Sequence, residues 1–309
     1  MKSHQVKQTT LRESVIFEGI GLHSGEKTQV TLHPAPEATG IVFSKEGDSR
    51  GERFRATLDR IIDAQLATTL GNRQFRVGTV EHLLSAISGM GIDNLFVEVQ
   101  GGEVPILDGS AKPFVEGIQS AGIFEQQAPR SWIRIKESVS VNDYGRRAVF
   151  LPSDEFEISC SIYFNHRLIQ DQFFHNSITS RIYETEIAPA RTFGFLSEVN
   201  RLRSIGLAKG GSLENAVVIG EFGILNGEGL RFEDEFVRHK VLDALGDLAL
   251  LGYPVLGRLI IDRSGHSVHH RLMTALLQNP STWEITTEIP RFSSPVYSHD
   301  SLLASLSAS

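Results

Sequence analysis

Apolar positions along the chain change period several times, and each change marks an element. Residues 30–32 (Val-Thr-Leu), 41–43 (Ile-Val-Phe) and 95–99 (Leu-Phe-Val-Glu-Val) are short β-branched and aromatic runs that predict strands. Residues 156–162 alternate apolar and polar, the period of a half-buried strand. Residues 79–90 read as a helix: Thr79 stands where it can cap the start, Glu81 suits the first turn, and Gly89 and Gly91 flank the end. Residues 236–247 also carry helical periodicity. The longest apolar helical stretch, 241–251, is interrupted by Asp243, Gly246 and Asp247. No run reaches the ~18 apolar residues that a membrane helix needs. Residues 1–12 are polar and lack the core of a secretory signal.

The elements recur in the same order. Arg12-Glu13-Ser14-Val15 is echoed by Lys136-Glu137-Ser138-Val139. Strands ending in proline follow, at Pro34 and at Pro152. Next comes a helix carrying a histidine, His82 or His239, then a strand at 95–99 or 259–261. An Asp-containing turn follows, at Asp108 or Asp262, and each half closes on a helix-like segment, 111–121 or 268–278. This repeat predicts an α+β fold of two similar two-layer sandwich domains, residues 1–127 and 131–300, joined near 126–131, with 301–309 as a flexible tail. A pseudo-twofold pair would bring the His82 and His239 helices together at the interface, where ligand sites concentrate.

Composition narrows the function classes. The 309 residues suit one large domain or two mid-sized ones, and 40% hydrophobic against 22% charged residues can bury a core. A formal charge of −7 argues against a nucleic-acid binder that relies on bulk charge, yet leaves room for a local basic pocket. One cysteine excludes a disulfide framework, a Cys-rich zinc site and a CxxC pair, which fits a reducing cytoplasm. Cys160 itself reads as a small core residue in its alternating strand.

The chemistry concentrates on the second histidine helix. His239, Asp243 and Asp247 stand at i, i+4 and i+8 and share one face. Such groups are costly to bury in an apolar helix unless paired or bound to metal. With His82 as a third ligand, His239 and Asp243 would make a His2Asp set with an open fourth position, the catalytic rather than the structural zinc arrangement. Glu81, beside His82, can serve as a general base. No H-E-x-x-H occurs, so the usual zinc-peptidase reading fails. A His-x-x-x-Asp spacing by itself is more often a surface pair, so spacing alone reaches a candidate metal enzyme and no further.

Several stretches together resemble one family, the zinc amidase UDP-3-O-acyl-N-acetylglucosamine deacetylase (LpxC). They are Gly19-Ile20-Gly21-Leu22-His23-Ser24-Gly25, Thr79-Val80-Glu81-His82-Leu83-Leu84-Ser85-Ala86, Pro105-Ile106-Leu107-Asp108-Gly109-Ser110 and Ala190-Arg191-Thr192-Phe193-Gly194-Phe195. The series ends with the run from Leu230 to Lys240, Asp243-Ala244, Gly246-Asp247-Leu248 and Ser264-Gly265-His266. They occur in family order and cover nearly the whole chain.

The resemblance implies hydrolysis of the N-acetyl group of UDP-3-O-(3-hydroxyacyl)-N-acetylglucosamine by water, releasing acetate, the committed step of lipid A biosynthesis. It implies one Zn2+ per chain, held by His82, His239 and Asp243. Glu81 matches the general base. His266 matches a second catalytic residue that stays protonated, and Asp247 the acid paired with it. Thr192 matches a hydroxyl that helps hold the oxyanion. The amine proton can come from Glu81 or from His266. Lys240 matches a substrate-contacting cation. An insert at 193–218 would form an acyl passage through Phe193, Phe195 and Gly211, lined further by Leu196, Val199, Leu202, Ile205, Leu207 and Val218. The bland alternative for that stretch is an amphipathic helix packed on its own domain. Lys209 stands there where an apolar residue fits better, and its ammonium can snorkel outward. Phe164 matches a nucleotide-contacting aromatic, although Arg167 replaces a usual proline nearby. Arg146, or its neighbour Arg147, matches a phosphate cation, and His23 lines the site. The resemblance further implies helices sandwiched between two outer sheets, and a cytoplasmic monomer with no nucleic-acid partner and no membrane segment. His269 and His270 are expected on the surface. An altered acylated-sugar substrate and a dead-site binding protein are the competing readings, and the complete set of site residues argues against the second.

Overall fold

The computed structural model describes residues 6–47, 52–169 and 171–288. The tail over 301–309, the last part of the expected second domain (289–300), His4 and His299 lie outside the described residues.

In the first half, Val15–Ile20, Lys27–Pro34, Leu95–Gln100, Ile41–Lys45 and Arg53–Arg55 form one sheet in that order. Neighbours are antiparallel except Ile41–Lys45, which runs parallel to Leu95–Gln100. The second half repeats the scheme. Val139–Asp143, Arg146–Leu151, Val255–Asp262, Phe156–Ile162 and Gln172–Ser177 pair in turn, and Phe156–Ile162 is again the parallel partner of the central strand. Trp132–Ile135 and Trp283–Thr286 extend this sheet. A repeat carried by sparse identities is therefore carried fully by pairing order and direction.

The helices are α1 (Glu81–Gly89), α2 (Lys112–Ala121), the single turn α3 (Ser180–Ile182), α4 (Leu196–Ser204), α5 (Glu235–Leu248) and α6 (His266–Gln278). α2 packs on Val15–Ile20, and α6 packs on Val139–Asp143 and Arg146–Leu151. α1 and α5 pack against each other between them, so helices fill the space between two outer sheets. This layering explains the burial patterns. Leu95, Val97 and Val99 alternate inward, whereas α1 is buried at every position from Glu81 to Ile87 because it is covered on all sides. Phe43 and Phe114 from one half and Phe150 and Phe236 from the other are fully buried in one continuous core. Each such side chain contributes about 1.5–3 kcal/mol. The two central helices touch backbone to backbone: a Cβ on Gly246 of α5 would run into the carbonyl of Glu81 on α1.

Four local expectations change. Thr79 does not cap α1. It takes φ +55°, and its hydroxyl turns to donate to Glu103 Oε1 at 2.7 Å. Gln126 does not lie in a linker. It sits in the strand Ile123–Pro129, which pairs with Lys7–Leu11, and its buried amide joins Asn94 to the Ala35 carbonyl. Only Arg130 and Ser131 separate that strand from the next. The insert folds as a small strand–helix–strand unit, with Phe193–Phe195 parallel to Val217–Ile219 and α4 between them. No residue of α4 is buried, and Leu196 and Ile205 are exposed, so the helix is packed on its own domain less tightly than an amphipathic pattern implies. Among the described residues, no helix is long and apolar enough to cross a membrane.

Candidate metal centre

α1 and α5 meet with their polar groups facing one another. Asp243 and Asp247 do not line a solvated face: they are 4% and 0% exposed. One helical turn separates His239 from Asp243, and His239 Nε2 lies 3.3 Å from Asp243 Oδ1. From α1, His82 Nε2 reaches the same oxygen at 3.7 Å. The two imidazoles stand edge to face at 87° with centroids 4.9 Å apart. Two ligand atoms each bound at about 2.0–2.2 Å to a tetrahedral ion sit about 3.4 Å apart, so these separations suit one ion.

The protonation states suit an ion as well. Burial pushes the His239 imidazole down to about 3, which keeps it neutral. Its Nδ1 lies 3.1 Å from the Ala190 carbonyl, which can only accept. The proton therefore sits on Nδ1, and Nε2 keeps a free lone pair. Burial opposes the Asp243 anion, but the Lys240 ammonium, 2.9 Å from Oδ2, and the His266 imidazolium hold its pKa well below the usual range. Among the described residues, the buried Nδ1 of His82 finds no hydrogen-bond partner. A neutral imidazole lone pair, an ionised carboxylate and a second histidine make a borderline-soft donor set that fits a divalent ion such as zinc.

Glu81 and His266 flank this cluster. Burial raises the Glu81 carboxyl pKa, as a proton carrier requires. Its Oε2 accepts from the Thr68 amide at 3.0 Å, and its Oε1 faces His266 Nε2 at 3.9 Å. Burial alone would lower His266. Asp247 Oδ2, 2.8 Å from Nδ1, reverses that and raises it to about 10, so Nε2 presents a proton to the cleft.

With that geometry in view, the comparisons with known proteins are decisive. A family described as UDP-3-O-acyl N-acetylglycosamine deacetylase (LpxC) matches residues 8–278. The chain belongs to the UDP-3-O-acyl-N-acetylglucosamine deacetylase family. It is 49% identical to the UDP-3-O-acyl-N-acetylglucosamine deacetylase of Myxococcus xanthus over 285 residues, 92% of this chain and 91% of that one. It is 47% identical over 294 residues to the protein of the same name from Thioalkalivibrio sulfidiphilus, 94% and 97% of the two chains. The corresponding protein of Hahella chejuensis is 46% identical over 284 residues, 91% and 94%.

Of the other expected deacetylase-family positions, the aromatic ones gather beside His239. Phe193 packs on Phe236 at 4.8 Å, lies 6.3 Å from the His239 ring, and has the Lys240 ammonium 5.5 Å from its centroid. Phe164 joins it at 5.6 Å, and Phe195 lies 5.7 Å from Phe164. Thr192 is half-buried and held through its backbone: its amide donates to Gly109 O, and its carbonyl accepts from the Val217 amide. The preceding residue explains why this loop is stiff. Arg191, 3% exposed, grips the fully buried Glu235 at the start of α5, with Nε–Oε1 2.9 Å and Nη2–Oε2 3.1 Å. That clamp ties Ala190 and Thr192 to the helix bearing His239 and Asp243.

His23 and Gly211 sit where the insert meets the first half. The His23 carbonyl accepts from the Lys209 amide, and the Leu22 carbonyl from the Gly210 amide, so the insert is latched onto the first half. Gly210 is needed there, because a Cβ would strike the Gly21 carbonyl. Lys209 is exposed. Arg146 is exposed at the start of its strand, and Arg147 stands opposite Asp262 in the register.

His269 and His270 correct the expectation of surface residues. They are 2% and 8% exposed and both turn to Asp247. His269 Nδ1 lies 2.8 Å from Oδ2 and His270 Nε2 lies 3.3 Å from Oδ1, while the Thr68 hydroxyl donates to Oδ1 at 2.6 Å. The signal was present in the sequence: three and four residues after His266 on a helix is the same face. Glu103 was not legible. It collects the amides of His23 and Ser24 and the hydroxyls of Ser24 and Thr79 from two separate stretches.

Proposed function

We propose that this protein is a zinc-dependent amidase that removes the N-acetyl group of UDP-3-O-(3-hydroxyacyl)-N-acetylglucosamine, releasing acetate in lipid A biosynthesis. The observation that carries the reading is the convergence of His82, His239 and Asp243 between Glu81 and His266 in a chain of this family. His82 and His239 through Nε2, with Asp243 through Oδ1, would hold one zinc ion. When bound, zinc supplies Lewis-acid polarisation of the acetamide carbonyl and an acidified water.

The remaining work falls to the chain itself. Glu81 Oε1 takes a proton from the attacking water, and its raised pKa lets it give that proton up again. His266 as imidazolium directs Nε2–H at the developing oxyanion, and the Thr192 hydroxyl adds a second donor. The leaving glucosamine nitrogen receives its proton from Glu81 Oε1 or His266 Nε2, which lie 3.9 Å apart. Asp247 keeps the His266 charge in place. Lys240 and the aromatic trio Phe164, Phe193 and Phe195 orient the substrate, with His23 and Gly211 at the rim and Arg146 toward the phosphates. We read the protein as a cytoplasmic monomer of two domains, 1–127 and 131–300.

Acetate release from this substrate is the test, measured as purified, after a chelator and after zinc is restored. The reading requires loss on chelation and recovery at about one zinc per chain. Acetate release that chelation leaves untouched, in protein without metal, would sink it.

A further inference from the structure

Asp247 is shared in a way the mechanism does not use. Its Oδ2 lies 2.8 Å from Nδ1 of His266 and 2.8 Å from Nδ1 of His269. Asp247 is fully buried, and three imidazoles and the Thr68 hydroxyl surround it. An ionised carboxylate only accepts, so both Nδ1 atoms carry protons. The Ser264 hydroxyl, 2.9 Å from His269 Nε2, completes the pattern by donating to that lone pair. His269 is therefore a neutral donor with a fixed tautomer, and it competes with His266 for one oxygen.

We infer that His269 is a positioning residue that sets the acidity of His266 by dividing the Asp247 carboxylate between two imidazoles. This rests on the proposed role of His266 as the cationic partner of Glu81. The physical reason is asymmetric. When His266 is neutral, Asp247 is a buried anion that needs every donor it has. When His266 is charged, the pair neutralises itself and needs His269 less. His269 thus favours the state in which His266 has released its proton. It opposes the remaining groups facing His266: Asp247 and Asp243 from α5 and Glu81 from α1 favour the cation. Of the other neighbours, Thr68, in the loop before the strand Thr69–Gly71, donates to Asp247 as His269 does, and the His270 ring stands 6.5 Å away.

The test is the titration midpoint of the His266 imidazole in the full-length protein, read by nitrogen NMR, with His266→Gln identifying its resonances. In His269→Leu the midpoint rises by about 0.5–1 pH unit. In His269→Asn, whose side-chain amide can donate from nearly the same place, it stays close to the wild-type value. Ser264→Ala frees the His269 tautomer at a half-exposed position, and it raises the midpoint by a smaller amount even if His269→Leu does not fold. The basic limb of acetate release moves with these midpoints. An unchanged midpoint in both His269→Leu and Ser264→Ala, or an equal rise in His269→Asn and His269→Leu, would overturn the inference. Absence of acetate release from the wild type would overturn the proposed function instead, while the NMR midpoints still decide the role of His269.

Discussion

The polar side chains at the α1–α5 contact differ in their proposed duties, so their removals have separable signatures. Glu81 is the proposed proton carrier and lies outside the proposed ligand set. Glu81→Gln is expected to keep about one metal ion per chain and to lose about 10²–10⁴ of turnover, checked by metal analysis beside acetate release. Asp243 is both a proposed ligand and the partner of Lys240. Asp243→Ala is expected to lose the ion and activity together, with the half-buried Lys240 ammonium left without that partner. His239, Asp243 and Asp247 were legible because spacing on one helix is a sequence property. The approach of His82 was legible only through the repeat and the family resemblance. Glu103 stayed hidden, since its four donors come from two distant stretches of the chain and no local pattern joins them.

Elements act here through two contacts, a helix crossing and a clamp. The crossing depends on Gly246, whose missing side chain lets α5 lie against the backbone of Glu81. Gly246→Ala must push α1 away, at a cost of about 1–3 kcal/mol in stability, and it displaces Glu81 and His82 as it does so. A denaturation midpoint and a turnover measurement should therefore fall together. The Arg191–Glu235 clamp predicts a larger stability loss. Arg191→Met leaves Glu235 buried without its cation, held only by the Arg191 and Arg231 amides, at about 3–5 kcal/mol by chemical denaturation. Strand and helix placement was read well where periodicity was strong, as in 95–99, 156–162 and 236–247. It failed at Thr79 because a side chain that could cap the helix found a better acceptor in Glu103, far along the chain. At α4 it is the alternative of a packed amphipathic helix that weakens, because an amphipathic stripe does not say whether a surface is there to receive it.

The whole molecule should respond to pH through its buried pair. His266 is raised to about 10 in the folded protein, against about 6.5 for an unfolded histidine. The folded state therefore holds one more proton than the unfolded state between those values. Its stabilisation is complete below about pH 6.5 and is lost as pH rises toward about 10. Melting temperature should decline across that window in the wild type and decline less in His266→Gln. At this scale the sequence reading was sound in architecture, because two α+β halves recur in order. What it lacked was the pairing geometry that makes the halves topologically equivalent.

His82 belongs to one copy of the repeat, and His239 and Asp243 belong to the other. Any ion they hold is gripped from both sides of a seam. Its dissociation constant is therefore a gauge of alignment: a slip of one half against the other stretches the grip before either half unfolds. A substitution that replaces no ligand, such as Gly246→Ala, should register first as weaker retention of the ion in a competition with a chelator, while each half still looks intact.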